Sequence, residues 1–186
     1  MQANEIRVWD PLVRGFHWTL VLAFFIAYFT EDDLLALHVW AGYTVLGLVL
    51  VRLVWGLIGT RYARFSSFLY RPAEVKGFLR DTLHGRARRY LGHNPAGGAM
   101  IILMLVVLIL TGLSGLVIYG IEEGAGPLAM LAGSAEWIEE VAEESHEFLA
   151  NFMLLLVIVH VIGVLVESLL HHENLARSMI TGRKRA

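Results

Sequence analysis

Apolar positions in this chain run on in four long stretches, near residues 11–30, 34–58, 95–120 and 145–170. Each is long enough to supply the roughly 20 helical residues that cross a hydrocarbon layer. Each therefore predicts a membrane-spanning helix. The first stretch has no small-residue cleavage site after it and meets acidic residues at once, so it is expected to be retained as a span and not removed as a signal. Between the second and third stretches the pattern changes. Val75, Phe78, Leu79 and Leu83 recur at helical spacing, with Lys76, Arg80, Arg86, Arg88 and Arg89 between and after them. This segment, about 72–90, predicts an amphipathic helix anchored in the inner headgroup region. Residues 135–144 predict an acidic turn or two of helix leading into the fourth span.

Charge then orients the four spans. All 15 Lys and Arg fall in the N-terminal arm, at Arg52 near the end of the second span, in the middle loop from Arg61 to Arg89, or in the tail from Arg177 to Arg185. The two other loops have no Lys or Arg, and the face they form carries Glu31, Asp32, Asp33, Glu122, Glu123, Glu136, Glu139, Glu140, Glu143, Glu144 and Glu147. Basic segments stay cytoplasmic, so both termini are expected inside. The whole chain, 1–186, reads as one all-α integral membrane four-helix bundle. Composition agrees: 56% hydrophobic and 17% charged, with a mean hydropathy of +0.60. Soluble domains average about 25% charged residues, so a soluble globular enzyme is not expected and a disordered chain is excluded. The absence of cysteine removes disulfides, thiolate zinc, iron–sulfur clusters and covalently attached haem.

Ionisable side chains inside a span are costly and point to function. Four histidines lie there: His17, His38, His146 and His160. The other four, His84, His93, His171 and His172, fall in cytoplasmic segments and read as surface residues. His146 and His160 are 14 residues apart, which returns them to one helix face within about 40° and separates them by roughly 21 Å along the axis. Helix direction puts His38 and His146 near the outer surface and His17 and His160 in the inner half. Two stacked bis-histidine sites result. Paired imidazoles suit the two axial positions of a haem iron held between helices; tetrahedral zinc would need further ligands. Without cysteine the haem is noncovalent, hence b-type. Arg52, 14 residues after His38, shares its helix face at the inner level and could neutralise a haem propionate; snorkelling to headgroups is the competing role. Gly42 and Gly163 lie close enough to His38 and His160 to let a flat ring approach the backbone. Trp9, Trp18, Trp40, Trp55 and Trp137 read mostly as an interfacial belt.

Several strings carry a resemblance: VWDPLVRGFHW at Val8–Trp18, LHVWAGY at Leu37–Tyr43, and GRARRYLGHNPAGG at Gly85–Gly98. SHEFLAN at Ser145–Asn151, the later Val159–His160 pair and ENLARSMITGRKR at Glu173–Arg185 complete it. The chain resembles the bacterial cytochrome b561 family, in the branch of the b-type cytochrome subunits of nickel–iron hydrogenases. The resemblance implies four helices holding two haems b, with the iron ligands at His17, His38, His146 and His160. It further implies a multi-pass protein of the bacterial inner membrane that serves electron transport in a respiratory chain. The expected function is electron transfer between an extracytoplasmic redox partner and the quinone pool, quinone being the substrate. The alternative implied by some relatives is an enzyme, a superoxide oxidase. The acidic outer face favours a basic partner, such as a c-type cytochrome or another periplasmic redox protein, over an anion. Membrane lipid is the other expected partner, and nucleic acid is not one.

Overall fold

The computed structural model describes residues 5–31 and 34–186; Asp32 and Asp33 of the expected outer acidic group lie outside the described residues. The chain is helical almost throughout. The elements are β1 (Glu5–Arg7), α1 (Pro11–Thr30), α2 (Leu35–Ile58), α3 (Pro72–Leu83), α4 (Pro95–Glu122), α5 (Glu136–Leu170), α6 (Leu175–Thr181) and β2 (Arg183–Arg185). α1, α2, α4 and α5 are long and apolar enough to cross a membrane. They leave large apolar side chains exposed, including Leu22 at 62%, Trp40 at 72% and Leu57 at 72%. In lipid these side chains are at no disadvantage, and a helix satisfies its own backbone there. α5 has 35 residues, roughly 50 Å of helix, against a hydrocarbon core of about 30 Å. It starts earlier than the apolar run does, because Glu136, Glu139, Glu140, Glu143 and Glu144 belong to its first turns. The amphipathic segment is helical only to Leu83; Gly85, with φ of 68°, turns the chain away.

The chain divides into two compact units: Met1–Thr19 with Leu50–Leu103 and Val157–Ala186, and Leu20–Val49 with Met104–Leu156. In the first, β1 and β2 pair antiparallel, with Ile6 opposite Lys184. Gly182 caps α6 in the left-handed region, φ 79°, and its carbonyl accepts from the N–H groups of Val8 and Trp9. A Cβ there would lie 2.5 Å from the Trp9 carbonyl oxygen, so glycine is required both by conformation and by contact. Val8, Trp9, Val13 and Ala63 form a buried cluster, with Trp55, Tyr62 and Met179 against it. Trp9 is no belt residue: it is 8% exposed and its indole N–H donates to Ser178. Asp10 ties the unit together. Its Oδ1 accepts from the Val13 N–H, capping α1 just before Pro11. Its Oδ2 accepts from Trp55 and, at 2.6 Å, from Thr60. Burial raises the Asp10 pKa, but the bonds from Thr60, Val13 and Trp55 outweigh it and hold the carboxyl below its ordinary value.

The second unit packs small residues against large ones. A Cβ on Gly112 would sit 2.3 Å from Leu46 Cδ2. Ala23, Phe24, Ala41, Val45, Leu108 and Met153 are buried, and Tyr28 donates to Asn151 at 2.8 Å.

Candidate functional site

The second unit brings His38 of α2 and His146 of α5 together, with ring centroids 6.0 Å apart and planes at 63°. Each ring is held by its Nδ1. His38 Nδ1 lies 2.9 Å from the Ala27 carbonyl oxygen. His146 Nδ1 lies 2.9 Å from the Thr111 carbonyl oxygen and 3.1 Å from Ser114 Oγ. A carbonyl only accepts, so Nδ1 carries the proton in both rings and Nε2 is left with its lone pair. That is the tautomer a metal needs. Gly115 makes room for the arrangement: a Cβ there would approach His146 Cε1 to 2.9 Å.

The first unit brings His17 of α1 and His160 of α5 together, with ring centroids 6.5 Å apart. Trp18 stands edge-on to His17 at 4.9 Å. The Nδ1 of His17 is enclosed and has no hydrogen-bond partner. Added Cβ atoms at Gly15, Gly42 and Gly163 would meet nothing within 4 Å.

Arg52 does not snorkel. It is 3% exposed, and its Cζ lies 4.9 Å and 5.9 Å from the Phe65 and Phe68 ring centroids. One guanidinium nitrogen donates to the Ala63 carbonyl at 3.0 Å, while the other, Nη1, is enclosed without a partner. His93, expected at the surface, is packed instead. Its ring lies 4.6 Å from that of Trp9 and 4.7 Å from that of Phe68, and its Nδ1 is enclosed and unpartnered. Burial first, then the charges of Arg52 and Lys184, hold the His93 imidazole well below its ordinary pKa, so it is neutral at pH 7. The Gly-His-Asn-Pro string was the one sequence signal for it. Asp10 gave none, because its partners Trp55 and Thr60 are remote in sequence.

Four membrane-length helices and a facing imidazole pair in each compact unit are features that membrane cytochromes combine. Residues 8–182 match the prokaryotic cytochrome b561 family, and the chain belongs to it. Two curated relatives are similar along nearly the whole chain. A probable Ni/Fe-hydrogenase B-type cytochrome subunit of Rhizobium leguminosarum bv. viciae is 23% identical, over 99% of this chain and 90% of its own. A protein of the same description from Cupriavidus necator is 27% identical, over 94% of this chain and 85% of its own. No solved structure matches. The protein is a multi-pass membrane b-type cytochrome of electron transfer.

Family membership implies haem b, and the imidazole pairs fit it. Two imidazoles axial to one iron, each nitrogen about 2 Å from the metal, put ring centroids roughly 6 to 6.5 Å apart. The observed spacings of 6.0 Å and 6.5 Å lie in that interval.

Proposed function

We propose that the protein is a dihaem b-type cytochrome of the bacterial inner membrane, passing electrons between an extracytoplasmic redox protein and quinone. The carrying observation is the two facing imidazole pairs inside four membrane-length helices. His38 and His146 hold the outer haem iron, and His17 and His160 the inner one. Bound there, haem would supply reversible one-electron exchange at iron. The Nδ1 bonds of His38 and His146 fix ring orientation and raise ligand basicity.

Both termini are cytoplasmic in this reading, as the distribution of all 15 basic residues supports. Glu122, Glu139 and Glu143, whose carboxylate oxygens lie within 4.8 Å of one another, then face outward and favour a basic partner. A c-type cytochrome has that chemistry. The description of the relatives as hydrogenase subunits brings a nickel–iron hydrogenase into the same test. The same carboxylates disfavour superoxide, an anion, as the donor.

A pyridine haemochrome assay on purified protein should give two haems b per chain. Replacing His38 or His146 by Ala should remove one spectral component, and replacing His17 or His160 the other. One haem per chain, or loss of the same component from His17 and His146 variants, would overturn the assignment.

A further inference from the structure

Arg52 keeps its charge at any accessible pH, and a buried cation without a partner is strongly unfavourable. At 3% exposure it has given one nitrogen to Ala63 and has Nη1 enclosed and unsatisfied. The neighbouring acids are engaged elsewhere. Asp10 acts on Arg52 through space, but its oxygens accept from Val13, Trp55 and Thr60. Glu173 is paired with Arg89 at 3.0 Å and Lys184 at 3.2 Å. A second nitrogen without a partner lies beside the same aromatic ring. His93 and Arg52 both pack on Phe68, and the Nδ1 of His93 is enclosed without a partner. Arg52, His93, His17 and His160 all belong to the first compact unit, so the cluster shares that unit with the inner imidazole pair. With its proton on Nδ1, His93 offers a second donor beside the same ring as Arg52, and a carboxylate has the two oxygens and the charge that such a pair would bind. Haem b brings carboxylates of its own.

We propose that Arg52 and His93 are a two-donor clamp for a propionate of the haem held by His17 and His160, a proposal that rests on the inner-haem reading above. Arg52 supplies charge and one hydrogen bond, His93 a neutral hydrogen bond. The clamp fixes the rotation of the inner haem about its axial ligands and raises its reduction potential, because a screened propionate stabilises ferric iron less. His93 is a positioning residue and not an iron ligand.

The test is potentiometric titration and resonance Raman spectroscopy of the purified holoprotein in detergent. Arg52→Gln should move the inner-haem reduction equilibrium about tenfold toward the oxidised form, about 59 mV for one electron. His93→Leu should move it about threefold in the same direction, the scale of one neutral hydrogen bond. Both should shift the propionate bending band, His93→Gln should restore most of the change, and the outer haem should keep its potential. If either variant fails to assemble, Arg52→Lys and His93→Phe carry the test, because the first relocates its donor and the second keeps an aromatic ring beside Phe68 but donates nothing, so both should shift the band. An unmoved band and potential in those variants overturns the clamp. So does a slowed quinol reaction with an unmoved band, which would assign the donors to quinone. A parent protein with one haem per chain removes the inner-haem reading first, and the clamp with it.

Discussion

Gly115→Ala adds a single methyl group to α4, and its consequence can be worked from the contacts of one ring. The new Cβ would lie 2.9 Å from Cε1 and 3.3 Å from Nδ1 of His146. Carbon atoms settle at about 3.5–4.0 Å, so the imidazole must retreat by roughly half an ångström or more. It cannot do so freely, because Nδ1 is bonded at 2.9 Å to the Thr111 carbonyl and lies 3.1 Å from Ser114 Oγ. Weakening that bond costs about 0.5–1.5 kcal/mol, and rotating the side chain off its rotamer costs a similar amount. Together these lower outer-haem affinity by about 10–100-fold, the scale on which groups supporting a metal ligand act. α4 itself is not weakened, since alanine is a better helix former than glycine by about 1 kcal/mol. Haem titration of the apoprotein, followed by pyridine haemochrome and circular dichroism, separates the two effects. The expected result is full helicity with the inner haem bound tightly and the outer one weakly. A variant that binds both haems with parental affinity refutes the role given to the His146 ring position.

Three further outcomes are expected. Gly42→Leu and Gly163→Leu, at sites where a Cβ meets nothing within 4 Å, should leave the fold intact but exclude the outer and inner haem respectively; loss of helicity without selective haem loss would show that the glycines serve helix packing. Reversing Glu139, Glu140, Glu143 and Glu144 to Lys should slow electron exchange with a basic c-type cytochrome, and salt should slow the parent reaction in the same way; equal rates at low and high ionic strength would dismiss electrostatic docking. Glu173→Ala leaves Lys184, whose side chain is 4% exposed, without its ion-pair partner, and should destabilise the protein by about 3 kcal/mol in thermal unfolding. In the parent, burial raises the Glu173 pKa, but the bonds and charges of Arg89 and Lys184 hold it below its ordinary value. Its contribution is therefore present above the unfolded carboxyl pKa of about 4.3 and is lost as pH falls through the lower folded value; a Glu173→Gln protein with the same acid dependence as the parent would remove that assignment.

The spans were legible because lipid leaves one solution for the backbone, an apolar helix of fixed minimum length, and four uninterrupted runs state it directly. The meeting of His38 with His146 and His17 with His160 was legible for a related reason. Alternating helix direction converts sequence position into depth, and depth selects the partner. What stayed hidden was held by contacts of long sequence separation. Trp9 reads as a belt residue until its partner Ser178, 169 positions away, is known. Asp10 carries no signal in the sequence, because its partners Trp55 and Thr60 lie 45 and 50 positions on. His93 lies outside every span, where a histidine costs nothing, and only the arrival of Trp9 and Phe68 on either side encloses it. The basic tail shows positive charge in sequence, whereas its pairing with residues 5–7 depends on both ends of the chain being brought together.

The hydrogen bonds that orient the outer imidazoles follow from where the helices end. α1 stops at Thr30, so Ala27 is among its last four carbonyls, those left without a regular partner inside the helix. The bond it does accept from Glu31 is long, at 3.4 Å. The chain turns at once into α2, and His38 comes back beside that carbonyl at 2.9 Å. A histidine one turn later would face carbonyls deeper in α1, each already taken by the N–H four residues on. On α4 there is no helix end to use, and the carbonyl of Thr111 is shared instead between the Ser114 hydroxyl and His146 Nδ1. The two rings of one pair are thus set by different means, a frayed terminus and a carbonyl's second lone pair. Either way, the proton stays on Nδ1 and Nε2 keeps its lone pair.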